Sequence, residues 1–106
     1  MKQYTTPEQT AKLIELGFAE PKTKIPFEVA NDELGYTYSI GELIEMLPYV
    51  VESEDSEYAT LQMYFDLFNW IIEYTGVEKT EYTISAIEFI DALYDMILKL
   101  KEEEII

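Results

Sequence analysis

Glu88, Asp91 and Asp95 come nearest to residues that could do chemistry: separations of three and four place the three carboxylates on one face of a helix. Two carboxylates so placed could divide acid and base work, or help hold a divalent metal. Either use needs a concave, water-excluding site that perturbs one of them. The three positions lie opposite an apolar stripe, so the expectation is a solvated acidic face, with no catalytic residue and no metal or cofactor. A second acidic run, Glu52-Ser53-Glu54-Asp55-Ser56-Glu57, lacks the glycine turn and the distal glutamate of a calcium loop, and reads as a solvated connector.

Composition narrows the chemistry further. The chain has neither cysteine nor histidine, which removes thiol chemistry, disulfides, the commonest metal ligand and the usual neutral-pH base. All seven positive side chains are lysine, so no guanidinium fork is present for phosphate, and a net charge of −15 further opposes direct nucleic-acid binding. A hydrophobic content of 48% supplies enough apolar surface for a folded core despite that charge. At 106 residues the chain reads as one domain. The start, MKQYTTPEQ, lacks the order of a signal peptide, and no apolar run reaches the length of a membrane span, so a cytoplasmic location with no membrane contact is expected.

The elements that must position these side chains are organised around Tyr58 to Thr75. Read as strands, Ala59, Leu61, Met63 and Phe65 share one face, and Phe68, Trp70, Ile72 and Tyr74 form the next apolar set. A reversal at Asp66-Leu67 pairs Phe65 with Phe68 and explains the change of phase. A four-residue loop through Asn69 instead pairs Phe65 with Trp70 and keeps the same face inward. Helical spacing of Leu61, Tyr64, Phe65, Phe68, Ile71 and Ile72 is the competing reading, opposed by the aromatic and β-branched composition.

Thr6-Pro7-Glu8-Gln9 predicts a capped helix with Ala11, Leu13, Ile14 and Leu16 inward, ended by Gly17 with Phe18 folding back. Ser39 with Glu42 predicts a second capping box, Tyr38 stapled on Leu43, a core side of Ile40, Leu43, Ile44 and Leu47, and Glu42 and Glu45 in water; Pro48 closes this helix. Residues 25 to 30 read as a short edge strand. After a polar link from Gly76 to Glu81, the last helix is predicted to start near Ser85, capped with Glu88. Its core side is Ala86, Ile90, Leu93, Ile97 and Leu100, flanked by Ile87 and Tyr94, and its last turn frays at Glu102 to Glu104. The predicted fold class is α+β in the order α-α-β-β-α, a hairpin packed on a long C-terminal helix with two shorter helices flanking.

That arrangement leaves the outer hairpin face as the open question. Tyr64 and Ile71 project there among Thr60, Gln62 and Glu73, with Tyr58 at the start of the run. Either the N-terminal helix covers them from behind, or they form a binding surface or dimer seam. Residues 51 to 106 hold fourteen acids and three lysines. Such charge serves solubility, or, if its carboxylates are spaced like phosphates, mimicry of DNA toward a nucleic-acid-binding protein.

The segments TPEQTAKLIELGF (6 to 18), YSIGELIEMLP (38 to 48) and FIDALYDMILKLKEE (89 to 103) resemble a family of small uncharacterised proteins of Bacteroides-type gut bacteria and their phages or mobile elements. The resemblance implies a biological context and carries over no activity and no functional residue. The expected function is a small non-catalytic accessory or protein-interaction module working through Tyr58, Tyr64, Ile71 and Glu73, with a protein partner or a second copy. A DNA-mimicking inhibitor and a carboxylate-dependent enzyme are the alternatives.

Overall fold

The structure, a computed structural model, describes residues 2–24, 36–52, 58–77 and 79–106. Helix α1 (Pro7–Glu15) starts where its caps dictate. Gln9 N–H donates to the Thr6 hydroxyl (3.1 Å), Thr6 N–H donates to the Gln9 side chain (3.0 Å), and Pro7 takes the first helical position. It ends at Gly17, whose φ of +98° lets Phe18 N–H reach the Leu13 carbonyl and Gly17 N–H the Ile14 carbonyl, closing a Schellman motif. The buried face of α1 is Thr10 and Leu13, whereas Ala11 and Ile14, predicted inward, are exposed.

The reason is a buried hydroxyl cluster in which Thr5, Thr10 and Thr37 lie 2.7 to 3.2 Å apart. Thr37 donates to the Thr5 carbonyl (2.8 Å), and Tyr38 N–H donates to the Thr5 hydroxyl (3.2 Å). If Thr5 donates to Thr37 and Thr10 donates to Thr5, every hydroxyl is satisfied. Polar docking of this kind rotates the helix away from its apolar stripe.

A two-residue ribbon, β1 (Thr23–Lys24) with β2 (Tyr36–Thr37), precedes α2 (Ile40–Met46). Ser39 caps α2 in a full capping box with Glu42, and Tyr38, Leu43 and Leu47 are buried in one core, with Ile40 and Ile44 packed against it. Glu42 is not simply in water. It is half-buried and also accepts from Lys22 N–H (3.0 Å) and the Thr23 hydroxyl.

Four strands then form one curled antiparallel sheet: β3 (Val50–Glu52), β4 (Tyr58–Asp66), β5 (Asn69–Thr75) and β6 (Thr80–Ala86), in that spatial order. Phe65 pairs with Trp70 and Asp66 with Asn69, so Leu67 and Phe68 form the turn and Phe68, predicted inward, lies at the tip. The last helix, α3 (Phe89–Glu102), has its N-cap three residues later than the predicted Ser85. Glu88 is its N-cap residue without a side-chain capping bond, Ala86 belongs to β6, and Ile87 is exposed. At its end, where fraying was expected, the backbone closes in hydrogen bonds. Glu104 at φ +60° allows Ile105 N–H to bond the Leu100 carbonyl (2.8 Å) and Glu104 N–H the Lys101 carbonyl (3.1 Å).

The class is therefore α+β, and the order α-α-β-β-α is corrected by the additional strands β1, β2, β3 and β6. The predicted strand at 25–30 and most of the acidic connector, 53–57, lie outside the described residues; Glu52 itself ends β3.

The core lies on one side of the sheet. Ile90, Ala92, Leu93, Met96, Ile97 and Leu100 of α3 are fully buried, together with Val51, Ala59, Ile72 and Tyr74 from the inner sheet face. Met63, Trp70, Tyr82 and Ile84 pack around them, and the Tyr74 hydroxyl donates to the Pro48 carbonyl (2.7 Å). Trp70 sits between Phe65 and Phe89, with ring centroids 5.2 and 4.6 Å away, and is a core-rim residue. The smallest principal extent, 17 Å, fits a helix layer on a sheet and not a third layer behind it.

Candidate functional site

The outer face of the sheet follows from strand alternation and register. Because Ile72 and Tyr74 point inward, Ile71 and Glu73 must point outward, and pairing brings Tyr64 opposite Ile71 and Gln62 opposite Glu73. On β6, Ser85 pairs with Ile71 and Thr83 with Glu73, and at the other edge Glu52 pairs with Tyr58. Tyr64 is 43% exposed and Tyr58 67%. Ile71 is half-buried by its strand neighbours yet does not belong to the core. Among the described residues no helix packs against this face: α3 packs on the inner side of β5 and β6, and α1 is tied to α3 and to the segment around Ser39. The expected covering helix is thus on the other side of the sheet.

Tyr64 donates its hydroxyl to Glu73 Oε1 (3.3 Å), an exposed bond that joins the tyrosine and the carboxylate across the two strands. Desolvation by neighbouring groups, then Glu73, then Asp66 raise the Tyr64 phenol above its ordinary value. The tyrosine therefore lies in the field of two carboxylates.

An adjoining apolar end was not read from the sequence. Leu67 and Phe68 at the turn are 81% and 78% exposed, Phe65 and Ile87 also stand in water, and Leu67 has a φ of +39°. A non-glycine residue at positive φ stores strain, and here the strain is spent holding a leucine in solvent. The Phe68 N–H is directed at the Asp66 carbonyl, which tightens the turn. The available signal was a loop without glycine between two strong strands, Asp66-Leu67-Phe68-Asn69.

The acidic helix face has a structural role at its N-terminal end. The Lys2 ammonium donates to Asp91 Oδ1 (2.7 Å), Gln9 donates to the same oxygen (2.9 Å), and Lys2 N–H donates to Glu88 (2.9 Å). Desolvation would raise Asp91, but the Lys2 and Gln9 hydrogen bonds and the Lys2 charge outweigh it and hold the carboxyl below the usual aspartate range. Asp95 is exposed; desolvation by its neighbours and then Asp91 raise it. Glu88 and Asp91 thus clamp the N-terminal segment, and only Asp95 keeps the solvated character predicted for all three. Among the described residues no group of three acidic side chains is arranged to hold a metal ion.

Glu42 works similarly. Desolvation opposes its charge, but hydrogen bonds from Thr23, Lys22 and Ser39 prevail and lower its carboxyl. Among the described residues no helix is long and apolar enough to cross a membrane. No protein-family model, curated protein or solved structure matches this chain.

Proposed function

We propose that this protein is a small non-catalytic interaction module whose working surface is the outer face of the sheet, Tyr58, Tyr64, Ile71 and Glu73. The observation that carries the reading is that Tyr64 and Ile71 stand side by side on a face that no described helix packs against, while the other face is filled by α3. Two aromatic residues and a β-branched one on a rigid sheet give contact area at low cost in side-chain entropy, as binding surfaces require. Two of the three acids with catalytic spacing are engaged elsewhere: Glu88 accepts from Lys2 N–H, and one oxygen of Asp91 receives two donors. The resemblance of the helical segments to proteins of Bacteroides-type bacteria and their mobile elements supplies the context, and a cytoplasmic setting is part of the proposal.

The test is affinity capture from a lysate of such a bacterium, using the wild type, a Tyr64→Ala/Ile71→Thr double variant and an α3 control, Glu102→Gln. The reading predicts a partner held by wild type and control but lost by the double variant. Capture that ignores the double variant would place the working surface elsewhere. Sedimentation of the same three proteins decides whether the partner is a second copy.

A further inference from the structure

We propose that the outer sheet face binds a lysine- or arginine-bearing extended segment of a partner protein, with Tyr64 and the carboxylates of Glu73 and Asp66 as the cation seat. This deepens the interaction reading above and rests on it. Charge complementarity selects this occupant. By strand alternation the charged residues on this face are Glu52, Asp66 and Glu73, and among the described residues no lysine joins them. Four described lysines have partners elsewhere, Lys2 with Asp91, Lys79 with Glu81, Lys99 with Glu103 and Lys101 over the Phe18 ring, and Lys12 lies on α1.

The residue types fit a cation in particular. An exposed tyrosine ring attracts a lysine or guanidinium group to its face, and a carboxylate hydrogen-bonded to that ring's hydroxyl places negative charge at the same spot. Asp66 lies one strand over from Glu73 and four residues beyond its partner Gln62, about 14 Å away on sheet geometry. That spacing suits two basic side chains of one extended segment, with Tyr64 between the carboxylates and Ile71 beside it to take an apolar stem. Nucleic acid and an anionic lipid surface would meet three carboxylates and, among the described residues, no cation on this face, so a polypeptide is the occupant that the charges accept.

The probe is a short fluorescent peptide of alternating lysine and serine, with spermine and a glutamate-serine peptide as comparisons, followed by anisotropy at low and at physiological ionic strength. The expected result is binding of the lysine peptide alone, weakened about two- to fivefold by Tyr64→Ala, which changes no charge, and retained by Tyr64→Phe, which keeps the ring. Glu73→Gln weakens it more than Glu102→Gln, an equal charge change on α3. Matching urea midpoints for Tyr64→Phe and wild type show that its result is not a folding effect. No binding, equal effects of the two glutamate variants, no effect of Tyr64→Ala, or equal competition by spermine would each overturn the proposal. If capture depends on Tyr64 and Ile71 while the peptide does not bind, the interaction reading stands and the cationic partner falls; if neither occurs, both fall.

Discussion

Ile71 and Ile72 are adjacent on β5 and identical in type, and the fold assigns them opposite fates. Ile72 is fully buried under α3, whereas Ile71 lies outside the core. Truncating Ile72 to alanine removes three buried carbons at about 0.8 kcal/mol each, about 2.4 kcal/mol, and the residual cavity raises the cost to about 3 to 4 kcal/mol. The same change at Ile71 leaves no buried cavity and loses some strand propensity and cross-strand contact with Tyr64, about 1 kcal/mol. Urea unfolding followed by Trp70, the single tryptophan and a reporter of packing between β5 and α3, measures both. The expected gap is about 2 to 3 kcal/mol, or about 10 °C in Tm for a domain of this size. Equal costs would mean that something covers the outer face, and the binding reading would lose its basis.

Other consequences follow from particular contacts. Leu67→Gly should raise the unfolding free energy by up to about 1 kcal/mol, and the urea midpoint with it, because glycine tolerates the positive φ and the exposed leucine gives up little packing; a fall in the midpoint would show that the leucine is packed. Tyr74→Phe should cost about 1 kcal/mol by removing the bond to the Pro48 carbonyl, and an unchanged midpoint would contradict that bond. Thr37→Val should cost about 1 to 3 kcal/mol, since it takes away the acceptor of the Thr5 hydroxyl proton and the donor to the Thr5 carbonyl, while Thr5 and Thr10 keep their bond to each other. Asp91 has a lowered folded-state pKa, so its contribution is complete above the ordinary aspartate value and disappears as the pH falls through the lowered one. Asp91→Asn should therefore reduce the loss of stability in that acid window, and an identical acid slope would show that Lys2 and Gln9 do not hold it.

The parts of the fold legible in the sequence are those with local chemical signals. The capping boxes Thr6/Gln9 and Ser39/Glu42 fix two helix starts, and Gly17 fixes one end. The inward parity of Leu61, Met63 and Phe65 with Trp70, Ile72 and Tyr74 holds because either turn length preserves it. What was not legible depends on competition between signals. Ser85 and Glu88 resemble a capping box, yet Tyr82, Ile84 and Ala86 alternate inward against Thr83 and Ser85, and pairing of β6 with β5 prevails over the cap. Leu67 and Glu104 adopt positive φ where glycine would have signalled a turn or a helix end. The clamp of Lys2 and Gln9 on Glu88 and Asp91 joins residues more than eighty positions apart, and no local pattern announces it. Of the candidate site, the membership of Tyr58, Tyr64, Ile71 and Glu73 on one face followed from alternation alone, but its exposure depended on where α1 docks, which the threonine cluster decides.

Amide NMR of the labelled protein, titrated with the lysine-serine peptide, locates the binding face residue by residue. Shifts are expected to concentrate on the outward positions of the sheet, Gln62, Tyr64 and Asp66 of β4, Ile71 and Glu73 of β5, and Thr83 and Ser85 of β6. Shifts concentrated on α3 around Asp95 and Glu102 to Glu104, with β4 and β5 unmoved, would contradict it.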